Sequence, residues 1–194
     1  MQLIRPVPVT AEQYVQENFH QQIRAPENCP NCQHAHSLEA LCYYWRYVTS
    51  MLAAVLRIQV RRFLCRHCRV SVSCLPDFAQ PYRLVNTSTV QGGFDGQKAR
   101  PDVQRWGLLL GSYWKSFERH LPQLIRSVGS AFGPSFAAPS ARQFWEQIKR
   151  ACGSLATATR QLVNQFHTVC LELIAVTNAN PIRLAEAFQP QEPG

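Results

Sequence analysis

CPNC at residues 29–32 and RIQVRRFLCRHC at residues 57–68 decide how this chain folds. They hold two Cys-x-x-Cys pairs, Cys29/Cys32 and Cys65/Cys68. Four thiolates in two such pairs are a complete tetrahedral ligand set for Zn²⁺. Each turn places two sulfurs on one side of a tight loop, and an antiparallel hairpin can bring the second pair to the first. Residues 33–64 are long enough for that hairpin. The spacing predicts a structural zinc ribbon with Cys29, Cys32, Cys65 and Cys68 as ligands and Zn²⁺ as cofactor. His34, His36 and His67 lie beside the knuckles in sequence, so a Cys₃His site stays open, although a surface position suits them better.

The strands of the ribbon follow from composition. Leu41 to Thr49 is rich in aromatics and reads as one strand, and Arg57 to Leu64 as the next. In the second, Ile58 and Val60 point one way and Arg57, Gln59 and Arg61 the other. Residues 50–56 connect the two as a helical turn or a hairpin bend. Val70 to Leu75 reads as a third strand, closed by Pro76. Cys42 and Cys74 alternate with strand residues and read as small core residues. Trp45, Trp106, Trp114 and Trp145 also read as core, while Tyr43 and Tyr47 lie opposite the arginine strand, where stacking on bases is a minor alternative.

Charge is unevenly placed. The chain of 194 residues has a net charge of +8, and residues 42–83 hold seven arginines, one acid (Asp77) and no lysine. Guanidinium forks suit bidentate contact with phosphates and guanine edges. Arg57, Arg61, Arg62, Arg66, Arg69 and Arg83 are therefore candidate nucleic-acid contacts, against the plainer reading of a solvated strand face.

Around the ribbon, residues 1–26 read as a Pro-punctuated extended tail (1–9) and a helix. Thr10 and Gln13 form a capping-box pattern, and Tyr14, Val15, Phe19 and Ile23 fall on one stripe. The ribbon occupies 27–85. Residues 86–101 read as a polar, Gly-rich linker. A helical domain over 102–180 follows, with a C-terminal tail at 181–194. Trp106, Leu109, Tyr113, Phe117, His120, Leu121, Leu124 and Val128 keep a spacing of three and four. Pro122 removes a backbone donor, so a kink or two helices meeting near His120 are expected. Gly129 to Pro139 reads as a loop. Ser140 and Ser154 cap the last helices, with Gly153 between them and Cys152 and Cys170 on their apolar stripes. That pair resembles a helix-turn-helix, whose second helix would offer Thr157, Arg160, Gln161 and Asn164 to a major groove. A hairpin used only for packing is the plainer reading. The expected class is thus α+β, with an N-terminal helix, a small three-stranded zinc ribbon and an all-α C-terminal half.

The stretch from Cys29 through Tyr43 to Tyr47, Arg57 to Phe63, Cys65 and Cys68 to the exit Leu75-Pro76-x-Phe78-x-x-Pro81-Tyr82-Arg83 resembles a small bacterial zinc-ribbon family of unknown function. It is also similar to the N-terminal zinc ribbons of insertion-sequence transposases. The resemblance covers residues 27–85 and implies a DNA-associated, mobile-element role. Arg69 and Val70 stand where such knuckles often carry Gly.

Other classes fit less well. No apolar run of about 18 residues exists, so no membrane span is expected. Without a leader-like apolar region, paired knuckles point to metal in a reducing cytoplasm, rather than to disulfides. A thiol-redox reading of Cys29 to Cys32 lacks its βαβ setting. Asp77, Asp102 and Glu146 are in tolerable order for two-metal phosphoryl transfer, but no strands carry them. The expectation is a non-enzymatic zinc-ribbon protein that binds DNA as an accessory or regulatory factor of a mobile element. The alternative is an interaction module docking a transposase or recombinase.

Overall fold

The structure is a computed structural model that describes residues 1–49, 55–81, 83–97, 104–133 and 140–166. Its sheet has four strands: β1 (Gln2–Arg5), β2 (Leu38–Thr49), β3 (Val55–Cys65) and β4 (Ser71–Pro76), in the order β1-β4-β3-β2. The β2–β3 hairpin is antiparallel, with Tyr43 opposite Arg61 and Tyr47 opposite Arg57. A register shift between Ala40 and Cys42 leaves Leu41 in a bulge. Side chains alternate along β3 as its sequence predicts, with Ile58 and Val60 buried and Arg57 exposed.

The expected three-stranded ribbon is corrected by β1. Residues 2–5, read as a tail, pair in parallel with β4, with Leu3 opposite Cys74 and Ile4 opposite Leu75. Two adjacent apolar residues on a strand point to opposite faces. Leu3 packs with Phe63, Val72 and Cys74. Ile4 enters the helical core with Val90, Phe94 and Trp145. Burial on both faces holds a strand too short to be announced by its own pattern.

Thr10 caps α1 (Ala11–Gln16) with the expected capping box. The single stripe beyond it does not form. Asn18 takes a left-handed conformation (φ 51°), a 3-10 turn covers Phe19–Gln22, and Val15 is left exposed. β4 pairs only with Arg61–Leu64 of β3. Tyr14 closes part of the edge beyond it by donating its hydroxyl to the Gln59 carbonyl at 3.0 Å.

The expected linker at 86–101 is also corrected. Asn86 caps a helix, α2 (Thr87–Phe94), by accepting from the Thr89 N–H. Val90 and Phe94 of this helix are buried in the helical core. Gly93, which read as a linker glycine, allows close packing: a Cβ there would stand 2.9 Å from Leu110 Cδ1.

The helices then follow as α3 (Gln104–Arg119), α4 (Leu121–Phe132), α5 (Ala141–Cys152) and α6 (Leu155–Phe166). The expected break falls at His120, with Pro122 in the first turn of α4, where no backbone donor is lost. α4 runs to Phe132, so the predicted loop starts later than Gly129. Ser140 and Ser154 cap their helices by accepting from the N–H of Gln143 and of Thr157. Gly153 (φ 74°) makes the turn between α5 and α6, a conformation that favours glycine. Cys152 is half-buried against this core. The expectations for residues 50–54, 82, 98–103, 134–139 and 167–194, including Tyr82, Asp102 and Cys170, fall outside the described residues.

Candidate metal centre and basic hairpin face

The two knuckles are built alike. After Cys32, Gln33 is left-handed (φ 60°) and donates its N–H to the Cys29 carbonyl at 2.8 Å. After Cys68, Arg69 is left-handed (φ 62°) and donates to the Cys65 carbonyl at 2.9 Å. The N–H of Cys29 binds the His34 carbonyl, and that of Cys65 binds the Val70 carbonyl, each at 3.0 Å. Gln33 and Arg69 thus both hold the left-handed conformation that glycine adopts most readily.

These turns bring the four predicted ligands together. Cys29 and Cys68 have sulfurs 3.7 Å apart, as do Cys32 and Cys65. All four sulfurs lie within 4.8 Å of one another. A tetrahedral ion with metal–sulfur bonds of about 2.3 Å requires sulfur–sulfur edges of about 3.8 Å. The donor set and its spacing fit one metal ion. Cys29 and Cys65 are buried, and Cys32 and Cys68 are half-buried. Burial at this level would strand four thiolates in apolar surroundings unless a cation shared their charge.

The surroundings favour thiolate at the second knuckle. The Cys68 N–H points at Cys65 Sγ at 3.5 Å, and the Ser37 hydroxyl lies 3.2 Å from the same sulfur. The Cys65 thiol is pulled down to about 5, first by that N–H and then by Ser37. Cys68 is also lowered, first by the Val70 N–H and then by the Asn31 side chain. The histidines are not in the cluster. His34 and His67 stack face to face outside it, with ring centroids 4.2 Å apart, and so join the two knuckles at their tips.

The nucleic-acid candidates separate into two groups. Arg57 and Arg61 share one face of the hairpin with Tyr43, Trp45 and Tyr47. The Arg57 guanidinium lies over the Trp45 ring at 4.3 Å. Arg61 lies over Tyr43 at 5.2 Å and donates to its hydroxyl at 2.6 Å. Arg66 and Arg69 are exposed at the second knuckle, where Arg66 pairs with Glu39.

The second group is turned inward. Arg62, on the opposite face of β3 from Arg61, covers the Tyr44 ring at 4.8 Å and donates weakly to Ser73 Oγ at 3.4 Å. Arg83 packs its guanidinium on the Tyr113 ring at 4.9 Å, tying the ribbon exit to α3. Arg160 is half-buried on α6; burial pushes the Asp77 carboxyl up, the Val7 N–H is the first group to oppose the rise, and the Arg160 charge adds to that opposition. Arg46, never a candidate, donates to the carbonyls of Gln80 and Arg83.

Of the two readings of α5 and α6, the packing supports the plainer one, a hairpin used for packing. α5 and α6 lie where expected, but α6 packs against β1, α2 and α4 as well as α5. Asn164, one of the four side chains offered to a groove, spends both ends of its carboxamide on Ile4. Two core assignments also change. Cys74 is buried, whereas Cys42 is exposed. Trp145 is fully buried and Trp114 packs on the core, whereas Trp45 is 52% exposed. A tryptophan between two tyrosines on an alternating strand was the available signal for that surface, because Tyr43 and Tyr47 share its parity.

Among the described residues no helix is long and apolar enough to cross a membrane. No curated protein and no solved structure matches the chain. Residues 22–106 match a domain of unknown function, DUF6431, which spans both knuckles, the hairpin, β4 and α2 and carries no link to transposase ribbons.

Proposed function

We propose that this is a zinc-clamped nucleic-acid-binding protein, acting on DNA as an accessory factor of a mobile element. The observation that supports it best is the register of the hairpin, which sets Arg57 and Arg61 directly opposite Tyr47 and Tyr43 on one face. Arg66 and Arg69 are exposed at the metal end of the same hairpin, Arg66 beside Glu39. Zinc is the ion of choice for four cysteine sulfurs at tetrahedral spacing, and its part is to hold the hairpin, not to react. Arginines held in one plane release counterions from a phosphate chain, so affinity falls steeply with salt. The mobile-element context rests on the resemblance of residues 27–85 to transposase ribbons.

The test is a salt titration of binding by the zinc-loaded chain to labelled DNA. The logarithm of affinity is expected to fall linearly with the logarithm of salt. Arg57→Glu and Arg61→Glu should each weaken all sequences alike and lower the slope by about 1. Binding indifferent to salt would refute the proposal.

A second reading has its own observation. β2 is an edge strand carrying exposed Leu41, and Leu108 on α3 is 78% exposed. An uncovered edge can add a strand from another protein. A recombinase partner retained at high salt by a chain that binds no DNA would favour that reading.

A further inference from the structure

The hairpin face carries more aromatic surface than phosphate contact needs. Tyr43, Trp45 and Tyr47 are 41%, 52% and 42% exposed. They occupy alternate positions of β2, so they form one column on one face, with about 6.8 Å from one to the next. Arg61, Gln59 and Arg57 form the neighbouring column on β3, each directly opposite one aromatic. Scattered exposed aromatics are ordinary, but three in a row beside cations mark a binding surface.

The column is held ready rather than left loose. His20 packs edge-on against Tyr43 at 5.1 Å, and Arg61 links the Tyr43 hydroxyl to the Gln21 carbonyl. The Arg57 guanidinium sits over the Trp45 ring at 4.3 Å, and its outer side can take a further planar group. Beside Trp45 and Arg57 a notch of about 90 Å³ opens toward α1, edged by Asn18, His20 and Gln59. It offers polar side chains at the rim of an aromatic surface.

We infer that this face binds single-stranded DNA, with bases stacked on Tyr47 and on the Arg57–Trp45 pair and the phosphate chain running beside Arg57 and Arg61. The inference rests on the proposed function and names its substrate class. The spacing decides for a single strand. Bases in a duplex are stacked at about 3.4 Å and show only their edges in the grooves. Aromatic positions about 6.8 Å apart along the strand suit a chain drawn out until base faces become available, which only unpaired nucleic acid allows. A two-stranded ribbon can enter a major groove, but there it reads edges with extended polar side chains. Here the two guanidiniums lie on aromatic rings instead.

The experiment uses the full zinc-loaded chain and labelled oligodeoxythymidine, a mixed-sequence duplex of equal length, and oligouridine, each at several salt concentrations. The single DNA strand should bind at least about tenfold more tightly than the duplex. Trp45→Ala and Tyr47→Ala should each weaken single-strand binding by about 5- to 150-fold, the loss expected for one stacked base. Their salt slope and chelator-sensitive melting should stay as in the parent, and Trp45→Phe and Tyr47→Phe should restore most of the affinity. Arg57→Gln should lower the slope instead. Equal or tighter duplex binding overturns this inference while leaving a nucleic-acid function standing. So does an equal effect of the alanine variants on both DNA forms. Tighter binding to oligouridine overturns the choice of DNA. Absence of binding to all three removes the proposed function itself.

Discussion

Asn164 completes the edge of the sheet through Ile4. Its carboxamide oxygen accepts from the Ile4 N–H and its NH₂ donates to the Ile4 carbonyl, each at 3.0 Å. One side chain thus takes the place of a neighbouring strand for one residue of β1. It also closes an edge otherwise open to strand addition. Replacing Asn164 by Leu should cost about 2–4 kcal/mol, because two backbone groups lose partners in a partly buried site. Denaturant unfolding gives the cost, and faster amide exchange at Ile4 should accompany it. An unchanged midpoint would show that the pair is incidental.

Metal removal should loosen the knuckle end of the hairpin before the helical core. The cluster around Phe63 contains Cys29 and Cys65 and has Cys32 and Cys68 packed against it, whereas the cluster around Phe117 and Trp145 contains none of the four. A chelator, or Cys32→Ser, should abolish exchange protection at Leu38 and Phe63 while that at Phe144 falls less. Protection at Leu38 that survives complete chelation would exclude a structural role for the ion.

Gln33 and Arg69 both sit in the left-handed region, where a Cβ is strained. Gln33→Gly and Arg69→Gly should each raise stability by up to about 1 kcal/mol, reduced by the greater freedom of glycine in the unfolded chain. Under the proposed function, Arg69→Gly should also weaken nucleic-acid binding, whereas Gln33→Gly should not. Thermal melting of the zinc-loaded proteins checks the first part, and a stability loss in both would contradict the backbone argument.

Asp95 accepts from Trp145 Nε1 at 2.9 Å and from Lys149 Nζ at 2.8 Å. Burial alone would raise its carboxyl, but the Lys149 and Trp145 hydrogen bonds outweigh it and hold it below the usual carboxylate range. A depressed carboxyl stabilises the fold above its unfolded value, near 4, and the stabilisation is lost as pH falls through the lower folded value. Asp95→Asn should therefore be less stable than the parent at pH 6 by about 1–2 kcal/mol. The gap should close as the solution is acidified. A gap that is constant from pH 6 to strong acid would show that the charge is not what matters.

Arg46 provides a control for the arginines of the hairpin. Its guanidinium spans the carbonyls of Gln80 and Arg83. Arg46→Gln should destabilise by about 1–3 kcal/mol and leave the salt slope of nucleic-acid binding unchanged, the reverse of Arg57→Gln. Paired melting and binding titrations distinguish them.

What the sequence alone determined is what neighbouring residues dictate to one another. The Cys-x-x-Cys turns, the Thr10 and Ser140 caps, the break at His120 before Pro122 and the alternation of Ile58 and Val60 are set within a few bonds of backbone. Local sterics and hydrogen bonding decide them wherever the segment ends up. Tertiary structure decided whatever depends on a distant partner. Gln2–Arg5 became a strand because β4 lies seventy residues on, and 86–101 became partly helical because Leu110 and Trp145 offered Phe94 a place to bury. An arginine's role likewise depends on what packs opposite it. Arg83 met the buried ring of Tyr113, whereas Arg57 met the exposed ring of Trp45. Charge can be counted along a chain, but whether it faces solvent or a buried partner is fixed only when the layers close.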